Sequence, residues 1–264
     1  MSKIIIQGAG TVGQATELFL KHYNPTLEVV LNDPIKDIHA ADADWIEADY
    51  VIICVNTELD ESLTLPENNT KNVDEAINFA LGKDFKKTFV LRSTIGVGSV
   101  KAIVEQLGQH LIVWPEYIKE ASWEADAINP SIVVIGGDDA EKFANNFSAY
   151  QGTVAITDPI EAMIAKLSTN TFLAMKVIFA NQLEMLCNDN GASYDVVKVL
   201  LANEGRLGST HWDVPGHDGL KGFGGKCLPK DVKTFEADII KSKIHVDLVR
   251  AISDINDVIR FNAK

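Results

Sequence analysis

Lys3-Ile4-Ile5-Ile6-Gln7-Gly8-Ala9-Gly10-Thr11-Val12-Gly13 opens the chain with an apolar run that ends in three spaced glycines. Consecutive isoleucines favour a strand, and a run without polar alternation suits one covered on both faces. Gly8, Gly10 and Gly13 fit G-x-G-x-x-G between that strand and a helix predicted over Thr11–His22. In this setting the first glycine permits the tight turn and the second lets a pyrophosphate approach. The third lets the helix pack closely, with phosphate at the helix N-terminus beside Thr11 and Val12. Asp33, twenty residues past Gly13 at the end of the next predicted strand, is placed to accept from an adenosine ribose. No basic residue stands beside it before Lys36, which points to NAD rather than NADP.

Outward from this unit, strands are predicted at Glu28–Asn32, Tyr50–Val55, Thr88–Arg92, Leu111–Trp114 and Ile132–Ile135. Helical patterns fall between them at Asn72–Leu81, Val97–Leu107 and Ala140–Tyr150. Such alternation reads as a Rossmann-type, doubly wound parallel α/β sheet. The texture changes at Asp158-Pro159-Ile160-Glu161, a helix start with Asp as N-cap, Pro at the first helical position and Glu at the third. Helical pattern then runs to Asn190, with Gly191 as the stop. The expected organisation is a dinucleotide-binding domain over residues 1–157 and a helical domain over 158–264, built on one long central helix. Further helices are predicted at Tyr194–Asn203, Pro229–Lys241 and Asp247–Phe261. A helix so long and apolar needs a second surface to cover it, and a homodimer interface is expected there. The polar, acidic loop Thr57–Thr70 is expected to lie over the carboxyl edge of the sheet.

The composition fits an ordinary globular protein of 264 residues with 46% hydrophobic side chains and a net charge of −13. Residues 1–155 carry 11 basic and 23 acidic side chains, against 13 and 14 in residues 156–264. The acidic half argues against a nucleic-acid or anionic-membrane surface, while local lysines leave the second half able to receive an anion. No apolar run approaches the roughly 20 residues that span a bilayer, and the N-terminus enters a strand directly. The three cysteines, Cys54, Cys187 and Cys227, are too scattered for a disulfide framework or a thiolate metal site. The histidines show no metal-ligand spacing. A cytoplasmic location is expected.

The second informative stretch is Gly222-Phe223-Gly224-Gly225-Lys226-Cys227-Leu228-Pro229-Lys230-Asp231. A thiol near a helix N-terminus, flanked by Lys226 and Lys230, has its thiolate favoured by dipole and charge. The glycines would let backbone N–H groups approach a ligand; a buried cysteine in a glycine turn is the plainer alternative. Lys166 and Asn170, four apart on the long helix, share a face that could meet one ligand or simply face solvent. Asn181 continues that polar stripe or bonds within the core. Asp231 complements the helix dipole and could order a water or steady Lys166. Arg92-Ser93-Thr94 and Pro115-Glu116-Tyr117-Ile118-Lys119-Glu120 follow predicted strands, where ligands bind in open α/β sheets. Thr94 as a helix cap, Glu116 as a helix-start charge and Arg206 as a helix-closing residue are the plainer alternatives there. Cys54 and Cys187 read as inert core thiols.

Taken together, GAGTVG, RSTIGVG, PEYIKEA, AKLSTN, RLG and VPGHDGLKGFGGKCLPKD resemble the UDP-glucose/GDP-mannose dehydrogenase family over essentially the whole chain. The resemblance implies oxidation of a sugar C6 alcohol to a carboxylate in two steps with NAD. It implies that Cys227 attacks the intermediate aldehyde, and that a thioester follows and is hydrolysed. By motif position, Lys166 and Asn170 would hold the oxyanion, Asp231 would order water and charge, and Glu116 would be the base for hydrolysis. Thr57 and Thr94 would lie at the cofactor, with Thr94 supporting that water near the nicotinamide. Glu120, Arg206 (reaching the neighbouring subunit's substrate), Phe223, Gly224 and Gly225 would contact substrate.

Two departures qualify this. Asn56-Thr57 stands where the family usually has Pro-Thr, and the chain stops near where a third, nucleotide-binding domain is expected. A nucleotide-sugar 6-dehydrogenase with UDP-glucose as leading substrate is therefore weighed against two alternatives. One is a two-electron β-hydroxyacid-type dehydrogenase, which needs no thiol. The other is a non-catalytic NAD-binding partner subunit.

Overall fold

The isoleucine run forms strand β1 (Lys3–Gln7), and every residue of it is buried. The computed structural model describes residues 2–119 and 122–262. They pack as two units, Met1–Asp60 with Asn68–Lys166, and Glu61–Glu67 with Leu167–Lys264.

In the first unit, β1 is followed by α1 (Thr11–Tyr23), β2 (Glu28–Asn32), α2 (Asp42–Glu47) and β3 (Tyr50–Ile53). The short strands β4 (Leu59–Asp60) and β5 (Glu67–Asn68) interrupt the acidic loop. The chain continues with α3 (Lys71–Gly82), β6 (Thr88–Leu91), α4 (Val97–Leu107), β7 (Leu111–Val113), α5 (Trp123–Ile128), β8 (Val133–Gly136), α6 (Ala140–Ala144) and β9 (Val154–Thr157). The seven-stranded sheet has the order β2-β1-β3-β6-β7-β8-β9. β2, β1, β3, β6 and β7 are parallel, as expected for a doubly wound sheet.

Beyond β7 the sheet becomes mixed. β8 runs antiparallel to β7 through Val113↔Gly136, and β9 is parallel to β8. An apolar run specifies burial but not direction. Among the described residues, the link from β7 to β8 carries the short α5 and returns to the edge it left, so the strand direction reverses. The helix expected over Ala140–Tyr150 is shorter, with a 3₁₀ turn at Asn145–Phe147.

One face of the sheet is held by an aromatic cluster. Phe19 of α1 meets Trp114 at 5.6 Å, Phe147 at 5.0 Å and Tyr150 at 5.5 Å between ring centroids. Burying each such side chain contributes on the order of 1.5–3 kcal/mol. Trp114 follows β7 directly, so this packing also fixes the strand end that leads to Glu116.

α7 (Pro159–Asp189) starts as its sequence predicts: Asp158 Oδ1 accepts from Ile160 N at 2.7 Å, and Glu161 Oε2 accepts from Asp158 N at 3.2 Å. Contrary to the expectation from apolar runs, this helix is long and apolar enough to cross a bilayer by length and composition. Half of its most apolar stretch is buried within the protein. It also buries Lys166, Asn170, Lys176 and Asn181, the make-up of a core helix.

The second unit continues with α8 (Tyr194–Asn203), α9 (Leu228–Lys241) and α10 (Asp247–Asn262). Its core joins Ala174 and Ile178 of α7, Phe223, Val232 of α9, and Val249 and Ile252 of α10. A second cluster joins Ala180, Cys187, Tyr194 and Trp212.

Candidate active site

Parallel strands deliver their following residues to one edge of the first unit. Gly8 follows β1 with φ +97°, and a Cβ there would lie 2.6 Å from Cys54 O. At Gly13 a Cβ would strike Gly8 O, so only glycine lets α1 pack against the turn. At Gly10 a Cβ would have nothing within 4 Å, and its backbone is open to a ligand. The first and third glycines thus build the turn, and the second leaves the approach that a pyrophosphate needs. Thr11 and Val12 open α1, whose free N–H groups suit phosphate.

Asp33 follows β2, and its Oδ2 accepts from Ala9 N at 2.8 Å, tying the second strand's end to the glycine turn. Lys36 folds back to donate to Ala9 O at 2.7 Å. These residues fit a dinucleotide: a turn open at one glycine, a helix N-terminus, and a carboxylate at the ribose position.

The neighbouring strand ends are tied together by buried polar groups. Thr57 Oγ1 and Asn68 Nδ2 both donate to Thr94 O, at 2.8 and 2.9 Å. Thr94 is not a helix cap, because Gly96 holds that position for α4. Arg92 is buried, stacks 3.8 Å from the Trp114 ring, and donates to Thr16 Oγ1, Trp114 O and Pro115 O, each at 3.0 Å. Burial pulls its guanidinium down to about 10.

Glu116 comes next on that loop, with no helix among the described residues there. Its Oε2 accepts from Ile118 N at 2.7 Å, and its Oε1 lies 3.3 Å from Lys166 Nζ. Both side chains are nearly fully buried. A pair so dry is costly to break, since removing one partner leaves an uncompensated charge. Tyr117, whose ring lies 5.2 Å from Lys166 Nζ, has its hydroxyl pushed up to about 12, first by burial and then by Glu116. Glu120 lies outside the described residues. Cys54 is inert: burial pushes its thiol up to about 12.

In the second unit, Cys227 is an exposed thiol, in no disulfide, at the N-cap of α9. Asp231, one turn on, is 1% exposed; it accepts from Asn170 Nδ2 at 2.6 Å and from Lys230 Nζ at 2.7 Å. The carboxylate paired with Lys166 is Glu116, whereas the sequence offered Asp231 for that task. Lys166 and Asn170 are one turn apart on α7, each buried against a different acid.

Arg206 lies beyond the end of α8, 88% exposed, with Nε 2.6 Å from Glu204 Oε1. Its loop is pinned by Lys176, which donates to Leu207 O and Gly208 O at 2.9 Å and lies 4.4 Å from the Trp212 ring.

In the glycine loop before Cys227, the Phe223 side chain is a core residue, and the space over Gly224 is filled by Arg260. Gly225, with φ +78°, has open space. Asn181 bonds within the unit, donating to Val177 O and accepting from Gly222 N. Lys176, Asn256 and Arg260 are further polar residues that hold these loops. Their signal is a polar side chain on an otherwise apolar helix face.

The family model for the UDP-glucose/GDP-mannose dehydrogenase NAD-binding domain matches residues 11–154, and that for the family's central domain matches residues 160–258. The chain belongs to the UDP-glucose/GDP-mannose dehydrogenase family. NAD is its cofactor, and it is an NAD-dependent oxidoreductase. It is 28% identical to UDP-glucose 6-dehydrogenase of Campylobacter jejuni over 97% of this chain and 72% of that protein. To the Streptococcus pneumoniae enzyme of that name it is 27% identical over 89% and 68%. Against the Rickettsia typhi enzyme it spans 53% of the relative's length.

The fold of this family member is shared with a UDP-glucose dehydrogenase from Pyrobaculum islandicum (TM-score 0.83, 22% identity, covering 98% of this chain and 68% of that one). It is also shared with 3-hydroxyisobutyrate dehydrogenase from Mycobacterium tuberculosis (TM-score 0.77, 17% identity, covering 100% and 95%).

Proposed function

We propose that this protein oxidises the C6 alcohol of a nucleotide sugar, with UDP-glucose the leading substrate, to the uronate through a covalent intermediate on Cys227. The observation that carries the reading is an exposed thiol at the opening of α9, whose next turn is fixed by the Asn170–Asp231 bond. Bound NAD+ supplies the hydride acceptor, twice for each alcohol taken to an acid.

The chain's own residues do the rest. The Cys227 thiolate attacks the carbonyl carbon of the aldehyde, forming a thiohemiacetal whose oxygen Lys166 and Asn170 stabilise as charge develops. Loss of the second hydride leaves a thioester. Glu116 takes a proton from the water that attacks it, freeing the carboxylate and the thiol. The exposed Gly225 and Arg206 are the candidates for holding the sugar nucleotide, Arg206 that of the neighbouring subunit.

A homodimer built on α7 belongs to the same proposal. Phe172, Phe179 and Leu186 recur at seven-residue spacing on α7 and are 59%, 53% and 59% exposed. Val196, Val199 and Leu200 of α8 are also exposed apolar residues of this unit. A seven-residue apolar seam is the pattern of a helix that pairs with another helix, and a twofold axis lets one seam serve both copies.

The two-electron alternative draws on the shared fold of 3-hydroxyisobutyrate dehydrogenase, a chain of nearly the same extent. Product stoichiometry separates the two. The proposal expects two NADH per UDP-glucose consumed, and loss of uronate with Cys227→Ser. One NADH per turnover, indifferent to that substitution, supports the alternative.

A further inference from the structure

The loop that leads to Cys227 is held from α10. Asn256 Oδ1 accepts from Phe223 N at 2.7 Å, and Arg260 Nε donates to Phe223 O at 3.0 Å. Arg260 Nη1 also pairs with Asp218 Oδ2 at 2.8 Å, tying in the preceding turn. From α7, Asn181 Oδ1 accepts from Gly222 N at 3.0 Å. The Phe223 ring is seated among Ala174, Ile178, Val232, Val249 and Ile252. Phe223 is therefore fixed by its ring, its N–H and its C=O together.

Two glycines of the motif lie directly under these same side chains. Gly222 has φ +77°, and a Cβ there would lie 2.6 Å from Asn256 Oδ1. A Cβ on Gly224 would strike the Arg260 guanidinium. Asn256 and Arg260 are four apart, so they share a face of α10. That face also carries the buried Ile252 and the partly buried Ile259. An amide and a guanidinium on an apolar face need partners, and the loop's backbone groups are those partners. Only Gly225 and Lys226 lie between Gly224, packed under Arg260, and the thiol-bearing residue, a reach of about 10 Å at full extension.

We propose that Asn256 and Arg260 are positioning residues for Cys227, holding the Gly222–Gly225 loop so that the thiol is presented at the N-terminus of α9. The inference rests on the reading of Cys227 as nucleophile. Because Cys227 is exposed, its reactivity is governed by thiolate character more than by access. A loosened loop lets the thiol leave the helix end that favours its thiolate.

The test is the alkylation of Cys227 by iodoacetamide in the full chain between pH 6 and 9, followed by peptide mass spectrometry. Asn256→Ala and Arg260→Ala are expected to slow alkylation at pH 7 by about threefold or more and to move the pH profile to higher pH. Arg260→Lys keeps a donor for Phe223 O and is expected to recover most of the rate; it also serves if Asn256→Ala does not fold. Val258→Ala, at a residue 61% exposed on α10, is expected to change nothing. Unchanged pH profiles in folded Asn256→Ala and Arg260→Ala overturn the proposal. Uronate production by Cys227→Ser would instead sink the parent reading, so the two failures are distinguishable.

Discussion

Asn170→Ala removes the donor that meets Asp231 Oδ2 at 2.6 Å and leaves that 1%-exposed carboxylate with a lost partner. Hydrogen bonds to a charged group contribute about 1.5–3 kcal/mol net, so the variant is expected to destabilise the second unit by about 2 kcal/mol. Asp231→Ala removes the acceptor instead and releases Lys230, whose side chain is 17% exposed and can turn to water. In the double variant neither group faces an empty partner, so the losses should not add. A double-mutant cycle is expected to return a coupling of about 1.5–3 kcal/mol. Urea unfolding followed by Trp212 fluorescence suits the measurement, because Trp212 is the one tryptophan between residues 167 and 264. A coupling below about 0.5 kcal/mol, the additivity expected of independent sites, would show that the Asn170 bond does not hold Asp231.

Gly10→Ala is expected to leave the melting temperature unchanged but to weaken NAD+ binding at least tenfold by titration calorimetry, whereas Gly13→Ala, whose Cβ strikes Gly8 O, should lower stability as well. At the opposite edge of the sheet, Lys3 Nζ meets Glu28, Asp44 and Glu47 at 2.7, 2.9 and 2.7 Å. The Lys3 hydrogen bond holds Asp44 below the usual carboxylate range. A depressed carboxylate contributes stability above its unfolded pKa of about 3.9, lost as the pH falls through its folded value. Lys3→Met should therefore flatten the acid limb of a stability–pH curve below about pH 4. Iodoacetamide at pH 8 is expected to label Cys227 in the folded protein and to reach Cys54 and Cys187 only after unfolding, as read by peptide mass spectrometry.

What the sequence shows well is local. The glycine spacing, the strand before it, the helix after it and Asp33 lie within one short stretch, and the structure joins them through Ala9 N. The Asp158–Glu161 helix start is legible for the same reason. Strand direction is not, because Val133–Gly136 would read the same run either way. β9 escapes notice because none of its residues is buried and exposed and half-buried positions alternate along it, and α5 is too short for a helical period to show. The pairing of Lys166 with Glu116 rather than Asp231 is a long-range choice, as is that of Asn170 with Asp231. Asn256 and Arg260 were legible only as polar residues on an apolar helix face, and the glycines they touch read equally well as openings for a ligand.

The proposed chemistry turns on Cys227 carrying the substrate as a thioester. Glu116→Gln keeps the shape and the acceptor for Ile118 N–H while removing the proposed base for hydrolysis. Mixed with UDP-glucose and NAD+, quenched in acid and digested, this variant is predicted to show an acyl adduct of the sugar nucleotide on the peptide containing Cys227. No adduct there, together with undiminished uronate formation by Cys227→Ala, would contradict the account.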